Sequence, residues 1–170
     1  QFSALATDKD FPFSLNSGRL RDHWHSMTRT GLASELTQHT TKPYLYLNPR
    51  DLTALDVMEN DIVAIHSVCS GNEPVLLQIQ ADEGIRDNEC FMPIHWNEQF
   101  ASHANASRLY PSIVDAISGQ PESKQVPIAI KSTQFKQFIE CHLDDALLAQ
   151  VDVKSRLHNM DFWLKNKTNY

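Results

Sequence analysis

From Asn16 to Gly31 the chain reads Asn-Ser-Gly-Arg-Leu-Arg-Asp-His-Trp-His-Ser-Met-Thr-Arg-Thr-Gly. This is a donor inventory suited to an anionic or heterocyclic ligand. Arg19 and Arg29 offer planar forks that match phosphate oxygens bidentately, and Ser17, Ser26, Thr28 and Thr30 offer hydroxyl donors. Gly18 permits a tight turn or a close backbone approach. The same residues also suit a polar surface loop whose Ser and Thr satisfy its own turns. His23 and His25 flank Trp24, and in an extended segment residues two apart face the same way, as paired metal ligands do. No third ligand of convincing spacing stands nearby, so hydrogen bonding by at least one imidazole is the competing reading.

Two further segments repeat this texture. Pro93-Ile94-His95-Trp96-Asn97-Glu98-Gln99-Phe100-Ala101 runs from an apolar stretch straight into His-Trp. Alone, it also suits a buried aromatic anchor beside a satisfied histidine. In Val114-Asp115-Ala116-Ile117-Ser118-Gly119-Gln120-Pro121-Glu122-Ser123-Lys124, Lys124 is a mobile point charge and Gln120 an amide that both donates and accepts. An ordinary exposed loop is the alternative there.

The elements that must position these groups are short. Phe11–Leu15 reads as a strand delivering the first loop, and Tyr44–Leu47 as another. Asn48 as N-cap with Pro49 at the first helical position predicts a brief helix over 49–55, and 32–38 can form a further short helix. Asp61–His66, Val75–Gln80, Cys90–Ile94 and Val126–Ile130 are β-branched or apolar runs bounded by turn formers, hence strands. Many short strands with little helix predict a small closed barrel. From 132 onward, Phe135, Phe138 and Ile139, then Leu143, Ala146, Leu147 and Val151, recur at helical spacing and predict a helical extension.

Composition narrows the function classes. The chain's 170 residues suit one domain with a small appendage, and a formal charge of −6 argues against a nucleic-acid surface. Arg19, Arg21 and Arg29 make a local positive spot on an acidic body, which favours a small anion over a polymer. No apolar run approaches the roughly 20 residues of a membrane span, so no membrane partner is expected. Cys69, Cys90 and Cys141 are odd in number and widely spaced, without a C-x-x-C pair; a reducing, cytoplasmic setting follows as the expectation. The opening Gln1-Phe2-Ser3-Ala4 resembles neither a natural start nor a signal peptide, so an excised piece of a longer protein is expected.

The order strand, Ser-Gly-Arg, His-Trp-His-Ser, Thr-Arg-Thr resembles the opening of the C-terminal molybdopterin-dinucleotide-binding domain of molybdenum oxidoreductases related to DMSO reductase. Pro93–Ala101 is similar to the P-x-H-W-x-x-Q-F-A segment of assimilatory nitrate reductases, and Val114–Lys124 to their V-D-P-x-S-G-Q-P-E-x-K stretch. The resemblance covers most of 11–131, with Asn48-Pro49-Arg50-Asp51 and Asn60-Asp61-Ile62-Val63 echoing the connecting helix and strand. Ala116 departs from a usual proline, Asn60 from a glycine and Ser26 from a threonine. Where many relatives carry N-x-L-T, this chain has Ser107-Arg108-Leu109-Tyr110, with Asn105 two residues earlier.

The resemblance implies a mainly β fold, a six-stranded double-psi β-barrel over 11–131, preceded by a linker over 1–10 and followed by the helical extension over 132–170. It implies that Asn16, Ser17, Gly18, Arg19, His25, Ser26, Thr28 and Thr30 bind a bis(molybdopterin guanine dinucleotide) cofactor, with His95, Trp96, Gln120 and Lys124 on the opposite wall. Molybdenum ligation, an iron–sulfur cluster and the substrate pocket would belong to upstream domains, and an electron donor protein would be a partner. The parent would be a cytoplasmic assimilatory nitrate reductase, reducing nitrate to nitrite, and this piece alone would be inactive. Two alternatives stay open: another molybdenum oxidoreductase, such as a periplasmic nitrate reductase or a formate dehydrogenase, and a stand-alone barrel acting as a ligand-binding or interaction module.

Overall fold

A computed structural model of the chain describes residues 5–71, 73–133, 139–143 and 162–166. Six strands close a barrel: β1 (Phe13–Gly18), β2 (Tyr44–Leu47), β3 (Ile62–Ser67), β4 (Val75–Ala81), β5 (Glu89–Pro93) and β6 (Val126–Ser132). Around the barrel they run β1, β5, β2, β4, β3, β6. The pairs β1/β5 and β2/β4 are parallel and the others antiparallel, so the predicted closed, mainly β architecture is the one found.

Period-two alternation builds the core. In β1, Phe13, Leu15 and Ser17 turn inward while the residues between them are partly exposed. Leu45, Leu47, Val63, Ile65, Leu77, Ile79, Met92 and Ile128 fill the interior. Full burial of such side chains stabilises by roughly 1.5–3 kcal/mol each, which makes this barrel the rigid frame for the loops at its ends.

Strand β1 runs three residues further than expected, to Gly18 instead of Leu15, because parallel pairing with β5 carries Ser14–Gly18 alongside Glu89–Pro93. Helix α1 spans Pro49–Ala54, and the Asn48 side chain accepts the Arg50 amide as its cap. In place of one helix over 32–38 there are two 3-10 turns, Thr30–Leu32 and Ser34–Thr37. Ala33 between them is extended, with φ −99° and ψ 99°, and it breaks the run.

Within the stretch expected to be helical, strands β7 (Ile139–Leu143) and β8 (Phe162–Asn166) pair in parallel as a separate two-stranded sheet. Ile139-Glu140-Cys141-His142-Leu143 alternates apolar and polar residues strictly, and that period of two prevails over the helical spacing read through Ile139 and Leu143. The rest of the expected extension, including Phe135, Phe138, Ala146, Leu147 and Val151, lies outside the described residues.

Candidate functional site

The parallel register of β1 and β5 is what assembles the site. It sets Gly18 opposite Pro93, and the Ile94 amide continues the ladder to the Gly18 carbonyl at 2.9 Å. The two His-Trp segments, far apart in sequence, therefore leave the barrel side by side from the same end.

Six contacts fasten the first loop. His95, fully buried, accepts the Leu20 amide at Nε2 (2.8 Å) and meets the His25 carbonyl at Nδ1 (2.6 Å). Trp96 is buried and its ring stands edge-on to that of His23, with centroids 5.3 Å apart. Met27, buried at φ 61°, receives the Gly31 amide on its carbonyl, and Thr30 Oγ1 accepts the Trp24 amide at 3.3 Å. Gly31 is pressed against Phe100, since a Cβ there would lie 2.8 Å from the Phe100 ring.

On the outside of this loop, the Arg19 guanidinium lies 5.4 Å from the centroid of the exposed Trp24 ring, which in turn stands perpendicular to His25 at 4.5 Å. Ser26 Oγ and Thr28 Oγ1 are 3.2 Å apart, and the Thr28 and Arg29 side chains are exposed. His23 is buried and His25 exposed at φ 47°, so this segment is not extended and the paired-imidazole reading fails. Among the described residues no group of three or more His, Cys, Asp or Glu is placed to hold a metal ion.

The second wall is the loop from Pro111 to Gln125. Asp115 Oδ1 accepts the Ile117 and Ser118 amides and the Ser118 hydroxyl, which holds its carboxyl below the usual range. Lys124 Nζ donates to the Ser17 carbonyl, and Ser17 Oγ donates to the Ser123 carbonyl at 2.8 Å. Tyr110 Oη donates to Ser17 Oγ at 2.6 Å. Sequence reasoning placed Tyr110 only at the end of the segment that stands where relatives carry N-x-L-T and gave it no role, because its partner lies 93 residues away.

The predicted residues thus fall into groups. Ser17, Gly18 and Lys124 meet at the end of β1, while Arg19, His25 and His95 meet around the first loop. Asn16 sits on β1 opposite Phe91, and exposed Gln120 lies in the hairpin of the second wall, where its backbone pairs with Asp115. Arg21, read from sequence as part of the positive spot, is spent on Asp22 at 2.9 Å, and Asp22 also meets His39 at 2.8 Å. Those three side chains, with Leu20, His23, Leu36 and Thr40, line a concavity that contains none of the residues expected to bind the cofactor.

The remaining donor set fits a polyanionic group. Arg19, Arg29 and Lys124 retain exposed cationic side chains, Ser26 and Thr28 supply hydroxyls, and Gly18 keeps a Cβ out of the space before Lys124, whose Nζ would lie 3.7 Å from it. Burial in the barrel end keeps the supporting side chains fixed while these donors face outward.

Comparison with known proteins agrees. Residues 13–127 match the family model described as Molydopterin dinucleotide binding domain. The chain is 38% identical over 130 residues to a nitrate reductase of Klebsiella oxytoca, a match covering 76% of this chain and 15% of that protein. It is 30% identical over 124 residues to the F420-dependent formate dehydrogenase subunit alpha of Methanocaldococcus jannaschii, covering 73% of this chain and 17% of the relative. The chain therefore spans only about a sixth of the length of these relatives. Among solved structures, acetylene hydratase from Pelobacter acetylenicus superposes with a TM-score of 0.61 at 14% identity, over 74% of this chain and 19% of that one, a likeness of fold.

Proposed function

Because the chain belongs to the molybdopterin-dinucleotide-binding domain family of molybdenum oxidoreductases, we propose that it is the cofactor-holding domain of an assimilatory nitrate reductase. The observation that carries this is the family match over 13–127 falling on two loops that the β1/β5 register brings to one barrel end. The Pro-x-His-Trp-x-x-Gln-Phe-Ala and Gly-Gln-Pro-Glu-x-Lys segments favour the assimilatory branch, and the Klebsiella oxytoca relative supports a nitrate reductase.

In this reading the ligand is bis(molybdopterin guanine dinucleotide), whose molybdenum supplies two-electron oxygen-atom transfer to reduce nitrate to nitrite. The domain's own part is binding and orientation. Arg19, Arg29 and Lys124 hold phosphate charge, Ser26, Thr28 and Thr30 donate to phosphate or pterin oxygens, and Gly18 lets the backbone approach. Trp96 and His95 support that surface from beneath. Molybdenum ligation and an iron–sulfur cluster belong to upstream domains, an electron donor protein is the partner, and the setting is cytoplasmic. The 170-residue piece alone does not turn over substrate.

The test is the full-length parent, purified anaerobically, assayed for molybdenum, guanine nucleotide and nitrite formation with a reduced viologen donor. All three are expected, and an Arg19→Gln/Lys124→Gln variant is expected to retain less nucleotide. A full-length parent free of molybdenum overturns the reading. Formate oxidation without nitrate reduction overturns the substrate assignment alone.

A further inference from the structure

His95 stands two residues beyond β5, and none of its surface reaches solvent. The amide of Leu20 can only donate and the carbonyl of His25 can only accept, so the contacts at Nε2 and Nδ1 fix one tautomer, the neutral ring with its proton on Nδ1. Both nitrogens are thereby committed to backbone, and the ring has no polar atom left for a ligand. The two contacts bracket Leu20 to His25, and His25 occupies the left-handed region at φ 47°, a conformation costly for a side-chain-bearing residue unless its surroundings impose it.

We propose that His95 is a positioning residue, a neutral two-point clamp that sets the distance between Leu20 and His25 and so presents the outward donors of the first loop. Arg19 precedes the clamped stretch, Trp24 and His25 end it, and Ser26 to Thr30 continue from it. Only what the loop holds rests on the cofactor reading above; the clamp itself does not.

A clamp built this way is sensitive to acid. Protonation places an N–H on Nε2 facing the Leu20 N–H, donor against donor. The groups around the ring oppose that charge: His23 stands 5.4 Å away between centroids, and Arg19 and His25 add their own positive or protonatable groups. Burial, the largest cause, together with these neighbours holds the His95 pKa below the ordinary histidine value. The clamp therefore opens at a lower pH than that at which an exposed histidine charges.

Two measurements test this. In the full-length parent, His95→Ala is expected to lower bound molybdenum and guanine nucleotide roughly tenfold or more, the scale of losing a supporting hydrogen bond behind a ligand. His95→Gln keeps one donor and one acceptor but cannot titrate. It is expected to restore most of the loading near neutral pH and to lack the acid-side release of cofactor expected of the native protein. Native loading in His95→Ala, or an unchanged acid-side release in His95→Gln, overturns the proposal. In the 170-residue chain, nitrogen-15 spectra of the His95 ring are expected to show the neutral Nδ1–H tautomer at neutral pH, with protonation only below the ordinary histidine value. The Nε2–H tautomer, or protonation at or above the ordinary histidine value, overturns the clamp without reference to any cofactor. Absence of molybdenum from the native parent fails the cofactor reading, while the ring spectra still decide the clamp.

Discussion

Tyr110 Oη donates to Ser17 Oγ at 2.6 Å, and Ser17 Oγ in turn donates to the Ser123 carbonyl at 2.8 Å. Ser17 is thus the inward-facing hinge between β1 and the second wall, with its hydroxyl fully engaged inside the protein. Burial raises the Tyr110 pKa, so the phenol stays a donor at neutral pH. Removing the donor with Tyr110→Phe is expected to cost about 1 kcal/mol, and Ser17→Ala, which strands both partners, about 1–3 kcal/mol. Chemical denaturation of the two variants and their double mutant checks this, and a coupling energy indistinguishable from zero contradicts the relay.

The cysteines give a second prediction. Cys90 is buried in β5 and donates weakly to the Ser14 carbonyl at 3.7 Å. Burial, with Asp51 and Glu89 nearby, pushes its thiol far above the ordinary value. Cys69 is exposed after β3. The thiolate is the reactive form, so iodoacetamide is expected to label Cys69 in the native chain and Cys90 only after denaturation. Peptide mass mapping reads the difference, and native labelling of Cys90 contradicts the packing of β1 against β5.

Much of this was legible locally. Tyr44–Leu47 announced itself as a strand through its apolar run before Asn-Pro, and Asn48-Pro49 marked the helix start because cap chemistry is local. What sequence reasoning could not supply was register. Whether His95 serves as a ligand or a support depends on Gly18 lying opposite Pro93, a long-range pairing that no local pattern encodes. The same holds for Tyr110, whereas the partner of Arg21 is the very next residue, Asp22, and could have been read locally. The bend at Ala33 was missed because alanine itself favours helix.

Acid sensitivity supplies a third prediction. Burial lowers the pKa of His95, and burial with the Lys131 charge lowers that of His66. In the unfolded chain both protonate near the ordinary value of about 6.5, so the unfolded state binds more protons over the interval below it, and stability falls as pH falls. His95 alone contributes a slope of at most about 1.4 kcal/mol per pH unit there. Thermal unfolding midpoints are expected to decline as the pH falls below about 6.5, and to decline less in His95→Gln. Asp115, whose carboxyl is held low by the Ser118 amide first of all, loses its contribution only in more acid solution. A midpoint that is flat through the histidine window contradicts the buried neutral assignment.

Gly18 closes the set because its role is steric and separable from charge. It ends β1, and a Cβ built on it would lie 2.7 Å from Phe91 Cε2. The Phe91 ring cannot simply swing away, since it also packs against Tyr46 with centroids 5.9 Å apart. Gly18→Ala is therefore an overpacking substitution, expected to destabilise by about 1–3 kcal/mol. Phe91→Leu removes the offending ring edge, so the double variant is expected to recover part of that loss relative to the sum of the single changes. Denaturant melts of the four proteins measure it. Additivity of the two changes would show that the glycine is kept for reasons other than this contact.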